Sequence, residues 1–564
     1  MTIPHWKQVA EAKRQSILDA IPEKWRIRGP IPSPTEQRDV TGAYIQQFLT
    51  EHEIEITETD AVGITERTTT GRWTAVEVTE AFCHRAALAH QLVNCLHEIF
   101  FDKALETARV LDAYFAQYRK PLGPLHGLPV SLKDQFHILG VETTMGYVGW
   151  IKTFQGIPEG EDSRYLTHES ELVKELRAAG AVLYCKTSVP MTLMSGETMN
   201  NIIKYTQNPK NRFLSSGSSS GGEGALIALR GSPGGFGTDI GGSIRVPAAF
   251  NGLYGIRPSV GRMPYEGAAN SGDGQNVVLS VIGPMAASAR GLTLLFKSVL
   301  GQSPWLGDPG VLEIPWREEV EKETRRLIEG GPEGLAFGIM YDDGEVQPHP
   351  PIKRALKIVE DTVRALGHRL IKWEPPSHHT AADIASRAYD LDGGADVRHH
   401  FALSGETPHP QVILDTTGSP QKVAQEIAAL NVEKREYQKL YLDYWNTTTQ
   451  LTGTGRPVDA VIYPCAAHAS VIPTKYATVG YTSFINVLDY TSVAVPVTNA
   501  GKGVDVVQER EYLSELDKKT DGEYDADAYD GAPAGIQLFG RRLQEEKILV
   551  LAEYLGEKIK KASA

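Results

Sequence analysis

The stretch SSGSSSGGEGALIALRGSPGGFGTDIGGSIRVP, residues 215–247, sets Ser219 and Ser243 in glycine-rich backbone on either side of a short apolar run. Glycine adopts backbone conformations that other residues avoid, so such segments form tight turns with exposed amide N–H groups. Upstream, the segment GLPVSLKD at 127–134 contains Lys133, which becomes a proton acceptor once it is buried and neutral. The three side chains are therefore a candidate nucleophile, proton relay and base.

The same stretch and its surroundings predict alternating helices and strands. The run GEGALIALR predicts a helix, and GFGTDI predicts a strand that leads into the GGS turn. Before them, ELVKELRAAG predicts a helix that ends at Gly180, and AVLYCKT predicts the next strand. This alternation is typical of an α/β protein, so we expect one mixed β-sheet covered by helices on both faces.

The rest of the chain predicts additions to this sheet. We expect residues 1–73 to form a helical arm packed on the core, and residues 74–564 to form the catalytic domain. Within that domain, residues 305–453 are more charged and predict a mostly helical inserted cover that forms a substrate-facing wall. The acidic tract at 508–531 predicts a solvated loop.

Composition and charge exclude several classes of protein. Of the 564 residues, 41% are hydrophobic and 23% are charged, which is typical of a soluble globular protein. The net charge of −13 comes without a basic block, which disfavours nucleic acid and anionic membranes as partners. No apolar run approaches the roughly 20 residues of a membrane span, and no secretory signal is visible, so we expect a cytoplasmic location.

The four cysteines are dispersed without the CxxC spacing of a metal site. Buried reduced thiols fit this pattern better than a disulfide framework. The cysteines are Cys83, Cys95, Cys185 and Cys465.

Ser243 needs a base and a set of oxyanion donors if it is to attack a carbonyl carbon. In DIGGS, two glycines allow a turn whose amides converge on one oxygen, and these amides belong to Ile240, Gly241, Gly242 and Ser243. Lysine is a poor base at its ordinary pKa of about 10.4, but burial disfavours its charged form and lowers that pKa. Lys133 follows the apolar run PVSL, which carries it into the interior, and Ser219 then passes a proton between Lys133 and Ser243.

Five segments together resemble the amidase signature family of serine hydrolases, and the later stretch VGYTSFINVLDYTSVAVPVT is most similar to its fungal acetamidase-like branch. The resemblance extends from about Thr74 to the C-terminus. The segments are GLPVSLKD at 127–134, GSSSGGEGALIA at 217–228, GTDIGGSIRVPAAFNGLYGIRPS at 237–259, GPMAAS at 283–288 and APAGIQLFGR at 532–541.

The resemblance implies an amidase that needs no cofactor or metal and acts on a small-molecule amide through an acyl-enzyme. It implies that Lys133 is the base, that Ser219 is a bridging serine on a cis peptide bond, and that Ser243 is the acylated nucleophile. The remaining roles it implies are oxyanion donation by the amides from Ile240 to Ser243, support of the turn by Asp239 and Arg245, and substrate contact by Leu193. A homodimer is consistent with the family.

Several alternatives stay open at this stage. Asp134 can pair with Lys133 and hold it charged, and SSGSSSGG replaces the SPGGSSGG of many relatives just before Ser219. His126 and His468 suggest a Ser/His site, but neither serine stands in a GxSxG elbow, so we interpret both histidines as structural and hydrogen-bonded. A glycine-rich turn also cradles phosphate, although no GxxxxGK[ST] segment is present. Within the family, an amidotransferase A-type subunit and a catalytically inactive scaffold are the rival functions, and ester cleavage is compatible with the same chemistry.

Overall fold

A single mixed sheet of eleven strands forms the centre of the computed structural model, which describes residues 4–158, 160–330 and 334–563. In chain order the strands are β1 Leu96–Ile99, β2 Pro129–Lys133, β3 Val182–Thr187, β4 Gly234–Asp239, β5 Tyr254–Arg257, β6 Val281–Ala286, β7 Ala336–Ile339, β8 Arg369–Lys372, β9 Ala460–Pro464, β10 Ser492–Asn499 and β11 Pro533–Phe539.

The strand order places β2, which ends at Lys133, beside β4, which leads into the glycine-rich turn. Across the sheet the order is β1-β3-β2-β4-β6-β5-β10-β11-β9-β7-β8. Strand β2 is parallel to β3 and β4, and β7 is parallel to β8 and β9, whereas the other neighbours are antiparallel. Because β2 and β4 are parallel neighbours, their carboxyl ends, which carry Lys133 and Asp239, lie at the same edge of the sheet.

Helices cover the sheet. They are α1 His5–Asp19, α2 Ala43–Gln46, α3 Glu51–Glu58, α4 Ala61–Thr68, α5 Ala75–Val93, α6 Phe101–Tyr118, α7 Glu171–Ala178, α8 Gly221–Ala228, α9 Arg245–Phe250, α10 Ala289–Leu300, α11 Glu318–Glu329, α12 Pro350–Ala365, α13 His378–Tyr389, α14 Ala395–Ser404, α15 Ala424–Thr447, α16 Thr449–Thr452, α17 Gly480–Leu488, α18 Glu515–Gly522, α19 Ala526–Tyr529 and α20 Glu545–Ser563. Within the described ranges, none of them combines the length and apolar composition that a bilayer crossing requires.

Both faces of the sheet are buried, as alternate residues of β9 illustrate. Ile462 packs in a core cluster that includes residues of α12 and α20, whereas Val461 and Tyr463 pack in a separate cluster with residues of α13, α15 and α17. The predicted α/β architecture with a central mixed sheet is thus confirmed.

Two parts of the chain add detail that the sequence patterns did not give. Residues 305–453 are mostly helical, but they also supply β7 and β8 at one edge of the sheet. The acidic tract was predicted to be a solvated loop, and this was wrong in part, because it contains α18 and α19. In α18 the buried Asp517 carboxylate accepts hydrogen bonds from Arg510 and from the Leu513 amide, and the Asp525 side chain caps the start of α19.

The remaining structural predictions concern the N-terminal helices and the cysteines. Helix α1 is anchored to the body of the protein by Lys13, whose Nζ lies 2.6 Å from a Glu98 carboxylate oxygen and 2.8 Å from one of Glu142. All four cysteines are buried free thiols, as the dispersed spacing predicted.

Candidate active site

Lys133 ends β2 and is completely buried. Its Nζ lies 2.6 Å from Ser219 Oγ and 2.6 Å from Thr238 Oγ1, so the amine bridges the glycine-rich loop and β4. Burial lowers the pKa of Lys133 to about 7, against the opposing effect of the Asp239 and Glu223 carboxylates. A large fraction of this amine is therefore neutral near neutral pH.

Asp134 does not pair with Lys133. Its Oδ1 lies 2.6 Å from Nζ of the buried Lys186, and its Oδ2 accepts a hydrogen bond of 3.0 Å from the Met145 amide. Burial raises the pKa of this carboxyl, but the nearby His97 and Lys186 outweigh that effect and hold the pKa below its ordinary value. Asp134 therefore belongs to a separate ionic cluster, which leaves Lys133 free of its charge.

Ser219 and Ser243 lie in two loops that a backbone hydrogen bond joins. Ser219 lies just before α8, is buried, and follows a cis peptide bond from Ser218. Ser243 lies in the turn between β4 and α9, and its carbonyl accepts a 3.1 Å hydrogen bond from the Ser220 amide. Ser243 is only half-buried and lines a cavity with about 30 Å³ of room for the centre of a water molecule. Leu193 lines the same cavity.

Asp239 stabilises the turn by accepting hydrogen bonds from it. Its carboxylate accepts hydrogen bonds from the amides of Gly242 at 2.9 Å and Ile244 at 3.2 Å, and from the Arg245 guanidinium at 2.9 and 3.0 Å. Burial raises the pKa of Asp239, but the charge and hydrogen bonds of Arg245 outweigh it, so the pKa lies well below its ordinary value. The carboxylate therefore stays ionised. The Gly242 amide, one of the four predicted to face the oxyanion, instead donates its hydrogen bond to this carboxylate.

Two hydroxyl groups donate hydrogen bonds to carbonyls of the turn. Tyr389 Oη donates to the Ile240 carbonyl at 2.6 Å, and Thr482 Oγ1 donates to the Gly241 carbonyl. In a trans peptide unit the N–H points opposite to the C=O, so Tyr389 directs the Gly241 N–H away from itself. Among the described residues, the amides of Ile240, Gly241 and Ser243 have no acceptor, and these three residues line the cavity of Ser243.

Gly242 is required by this geometry. Its φ of +127° is a conformation that side chains rarely adopt, and a Cβ there would collide with Thr482. The glycine therefore allows Thr482 to approach the turn.

Arg245 links the turn to the C-terminal part of the chain. The fully buried guanidinium donates to the Gln537 side chain at 3.0 Å, the Asn486 side chain at 2.8 Å and the Thr482 carbonyl at 3.1 Å. Together with Asp239, these acceptors satisfy an otherwise costly buried charge. The site is thus assembled from segments hundreds of residues apart.

A second chain of hydrogen bonds leads from Lys133 to Asn270. Thr238 Oγ1 donates to Gln135 Oε1 at 2.8 Å, and Gln135 Nε2 donates to Tyr265 Oη and to Asn270 Oδ1, both at 3.0 Å. Tyr265 and Asn270 line a second, larger cavity of about 270 Å³. The base is therefore connected by protein groups to a larger cavity.

The sequence patterns singled out Lys133, Ser219 and Ser243 but missed several residues of the hydrogen-bond network around them. Thr238 lies within the segment 237–259, five residues before Ser243, whereas Gln135 lies just after the segment 127–134, two residues after Lys133, so their places in the sequence offered only a weak signal. Tyr389 belongs to the inserted block, where no sequence pattern identified it.

The two histidines lie outside this arrangement. His126 Nδ1 accepts a hydrogen bond from the Leu122 amide, whereas His468 is buried and its ring nitrogens have no partner among the described residues. The prediction of a hydrogen-bonded histidine thus holds for His126 and was wrong for His468. In the described part of the chain, no group of three His, Cys, Asp or Glu side chains is arranged to hold a metal ion.

The sequence and the fold of this chain are similar to those of several known enzymes. The sequence profile of the amidase family matches residues 77–549. An acetamidase of Aspergillus oryzae is 45% identical over 554 residues, which cover 98% of this chain and 98% of that protein. An acetamidase of Emericella nidulans is 45% identical over 558 residues, again 98% of both chains. Among solved structures, a fatty acid amide hydrolase matches with a TM-score of 0.88 and 32% identity, covering 98% of this chain and 95% of that one.

Proposed function

Because the chain belongs to the amidase signature family, we propose that it hydrolyses a carboxylic amide to a carboxylate and ammonia or an amine through an acyl-enzyme on Ser243. Family membership and the acetamidase relatives support amide hydrolysis. The observation that carries the finer proposal is the 2.6 Å hydrogen bond between the buried Lys133 amine and Ser219. A neutral amine in this contact is a base that can accept the proton of Ser219.

The proton path starts from the orientation of Lys133. Because Lys133 donates to Thr238, whose own hydroxyl proton goes to Gln135, the lone pair of the neutral amine is left for Ser219. Ser219 gives its proton to Lys133 and takes the proton of Ser243, whose Oγ bonds to the amide carbon. The resulting oxyanion collapses, the C–N bond breaks, and Ser219 delivers the proton from Lys133 to the leaving nitrogen. Water then repeats the sequence and releases the acid.

The oxyanion is stabilised by the amides of the turn. Ile240, Gly241 and Ser243 have free N–H groups, whereas the Gly242 N–H is bonded to Asp239, so we propose three direct donors and one supporting amide. Loss of one such donor typically costs about 2.7 to 4 kcal/mol of barrier. Asp239, Arg245, Tyr389 and Thr482 hold the turn so that the three amides converge before the substrate arrives.

Covalent labelling tests the nucleophile and the base together. A fluorophosphonate should form one adduct on Ser243, located by peptide mapping, and Ser243→Ala should abolish it. Lys133→Ala should slow labelling and the hydrolysis of acetamide by at least 100-fold, because the relay loses its acceptor. Ser218→Ala, which changes the hydroxyl next to Ser219, is the matched control and should label normally. Adducts on another residue, or a Lys133→Ala variant with most of its activity, would refute the assignment.

The two rivals within the family make different predictions. The full-length match to acetamidases favours a self-contained hydrolase over an amidotransferase A-type subunit. An inactive scaffold would show no turnover on a broad amide and ester panel. The cytoplasmic location and a homodimer stay predictions.

A further inference from the structure

The larger cavity adjoins the cavity of Ser243. Both are lined by Met194, Ile240 and Tyr389, so these three side chains form the shared wall between them. The smaller cavity holds little more than the reacting group, whereas the larger one, of about 270 Å³, has room for many atoms. An acyl group longer than acetyl would extend from the first cavity into the second.

The hydrogen-bond chain fixes the orientation of the Asn270 amide at the wall of this larger cavity. Lys133 donates to Thr238, Thr238 donates to the Gln135 carbonyl oxygen, and the Gln135 amide nitrogen must therefore face Asn270. Asn270 Oδ1 also accepts a 2.9 Å hydrogen bond from Tyr265 Oη. Two donors thus converge on Asn270 Oδ1. If the Asn270 amide were flipped, its N–H group would face the N–H group of Gln135 and the hydrogen bond would be lost.

The Asn270 amide nitrogen is consequently turned away from the network. It has no acceptor among the described residues, and Asn270 is half-buried in the cavity wall. A donor held in this way has little freedom to reorient and remains available to a ligand atom. The ligand atom must be a hydrogen-bond acceptor.

The charges around the cavity select among acceptors. Asp308 is 5% exposed, and its carboxylate accepts hydrogen bonds from the amides of Tyr265, Glu266 and Gly310. Asp273 lines the cavity as well, and no Lys, Arg or His is among the described lining residues. A carboxylate ligand would meet these negative charges, and none of the described lining residues is a cation that could pair with it. The acceptor is therefore an uncharged oxygen.

We propose that Asn270 is a specificity residue that binds an uncharged carbonyl, ether or hydroxyl oxygen on the acyl group of the substrate, away from the scissile amide. This inference rests on the proposed amide hydrolysis and names the class of acyl group. The same chain of hydrogen bonds connects the bound oxygen to Thr238 and Lys133, so the ligand completes a network that also orients the base.

A series of matched amides tests the proposal on the full-length enzyme. It comprises hexanamide, the hexanamides that carry a keto oxygen at successive carbons, and the amide of the same length that ends in a carboxylate. One neutral hydrogen bond predicts a kcat/KM about 3- to 10-fold higher for the best keto amide than for hexanamide. The carboxylate should be the poorest substrate of the series.

Two substitutions at Asn270 then remove the donor in different ways. Asn270→Leu should bring the keto-to-hexanamide ratio to one or below. Asn270→Asp keeps an acceptor for Gln135 and Tyr265 but places an oxygen, instead of the N–H donor, in the cavity. Above about pH 8 the new carboxyl is ionised and repels the keto oxygen. The ratio of kcat/KM for the keto amide to that for hexanamide should then fall below one. Leu279→Ala is the control, because it changes an apolar part of the same wall and should preserve the ratio.

The outcomes separate this inference from the proposed function. If the wild-type ratio is one, or if it survives in both Asn270 variants, the role of Asn270 is refuted while amide hydrolysis stands. If no amide in the series is hydrolysed, the proposed function fails and the inference fails with it.

Discussion

The acid limb of the pH–rate profile should belong to Lys133, whose pKa is lowered to about 7 by burial. At pH 6 about a tenth of such a lysine is neutral, and at pH 8 about nine tenths is neutral. An ordinary lysine would be neutral in fewer than about one molecule in a thousand at pH 7. We therefore expect kcat/KM for acetamide to rise about tenfold between pH 6 and pH 8 and then to level off.

Replacing Glu223 tests whether Lys133 is the group that titrates. It is fully buried, its pKa is raised to about 7 by burial, and it lies close enough to Lys133 to raise the pKa of that amine. Its carboxylate accepts hydrogen bonds from Ser131 at 2.6 Å and Thr187 at 2.9 Å, both of which an isosteric amide can retain by hydroxyl rotation. Glu223→Gln removes the charge and leaves the shape.

The sign of the expected shift follows from the charge. Loss of a negative neighbour destabilises the ammonium form, so the pKa of Lys133 falls, by about one unit if Glu223 is half ionised at neutral pH. The limb should move to lower pH, and the rate at pH 6 should rise several-fold relative to the plateau. Ammonia release, measured from pH 5 to pH 9 with circular dichroism as a folding control, gives the profile. A limb that vanishes in Glu223→Gln would assign the titration to Glu223, and a limb that moves upward would refute the electrostatic reasoning.

Three further predictions follow from the same contacts. Tyr389→Phe removes the donor to the Ile240 carbonyl and should lower kcat about 5- to 30-fold with little change in KM. Tyr437→Phe is the control and should leave kcat unchanged, because the Tyr437 hydroxyl has no partner among the described residues. A change in KM alone would contradict the role of Tyr389. Arg245→Met leaves the buried Asp239 carboxylate unpaired and should lower the free energy of unfolding by about 3 to 5 kcal/mol in urea titrations, a value that a loss below about 1 kcal/mol would refute. Because the folded state releases the Lys133 proton near pH 7 and the unfolded state near pH 10.4, this residue should make wild-type stability rise with pH across that interval, and Lys133→Met should remove that part of the slope.

The sequence patterns predicted the sheet well because its strands carry local signals. The strands that end at Lys133 and Asp239 are short apolar or glycine-rich runs beside clear turns, and the structure places them as parallel neighbours. The acidic tract was harder, since Asp517 is buried there by pairing with Arg510, and composition does not record such a pairing.

The side chains that we propose as catalytic carried a signal in the sequence, whereas the residues that support them did not. Lys133, Ser219 and Ser243 stand in motifs whose residue types already suggest nucleophilic chemistry. Tyr389 and Thr482 act on backbone carbonyls from distant helices or their ends, and a lone tyrosine or threonine in a helical segment carries no signal of that contact. Long-range packing decides these positions.

The hydroxyl of Tyr389 has a consequence for anyone who would re-engineer this enzyme. Residues 305–453, which we propose as a substrate-facing cover, contribute Tyr389 and Leu414 to the wall of the larger cavity and would be the segment to exchange between relatives. Yet one of its helices ends in the phenol that steadies the turn at Ile240, so a transplanted block that lacks this phenol would import a new selectivity together with slower turnover. Chimeras should therefore keep a tyrosine at this helix end, and selection for new substrates would otherwise favour grafts that restore it.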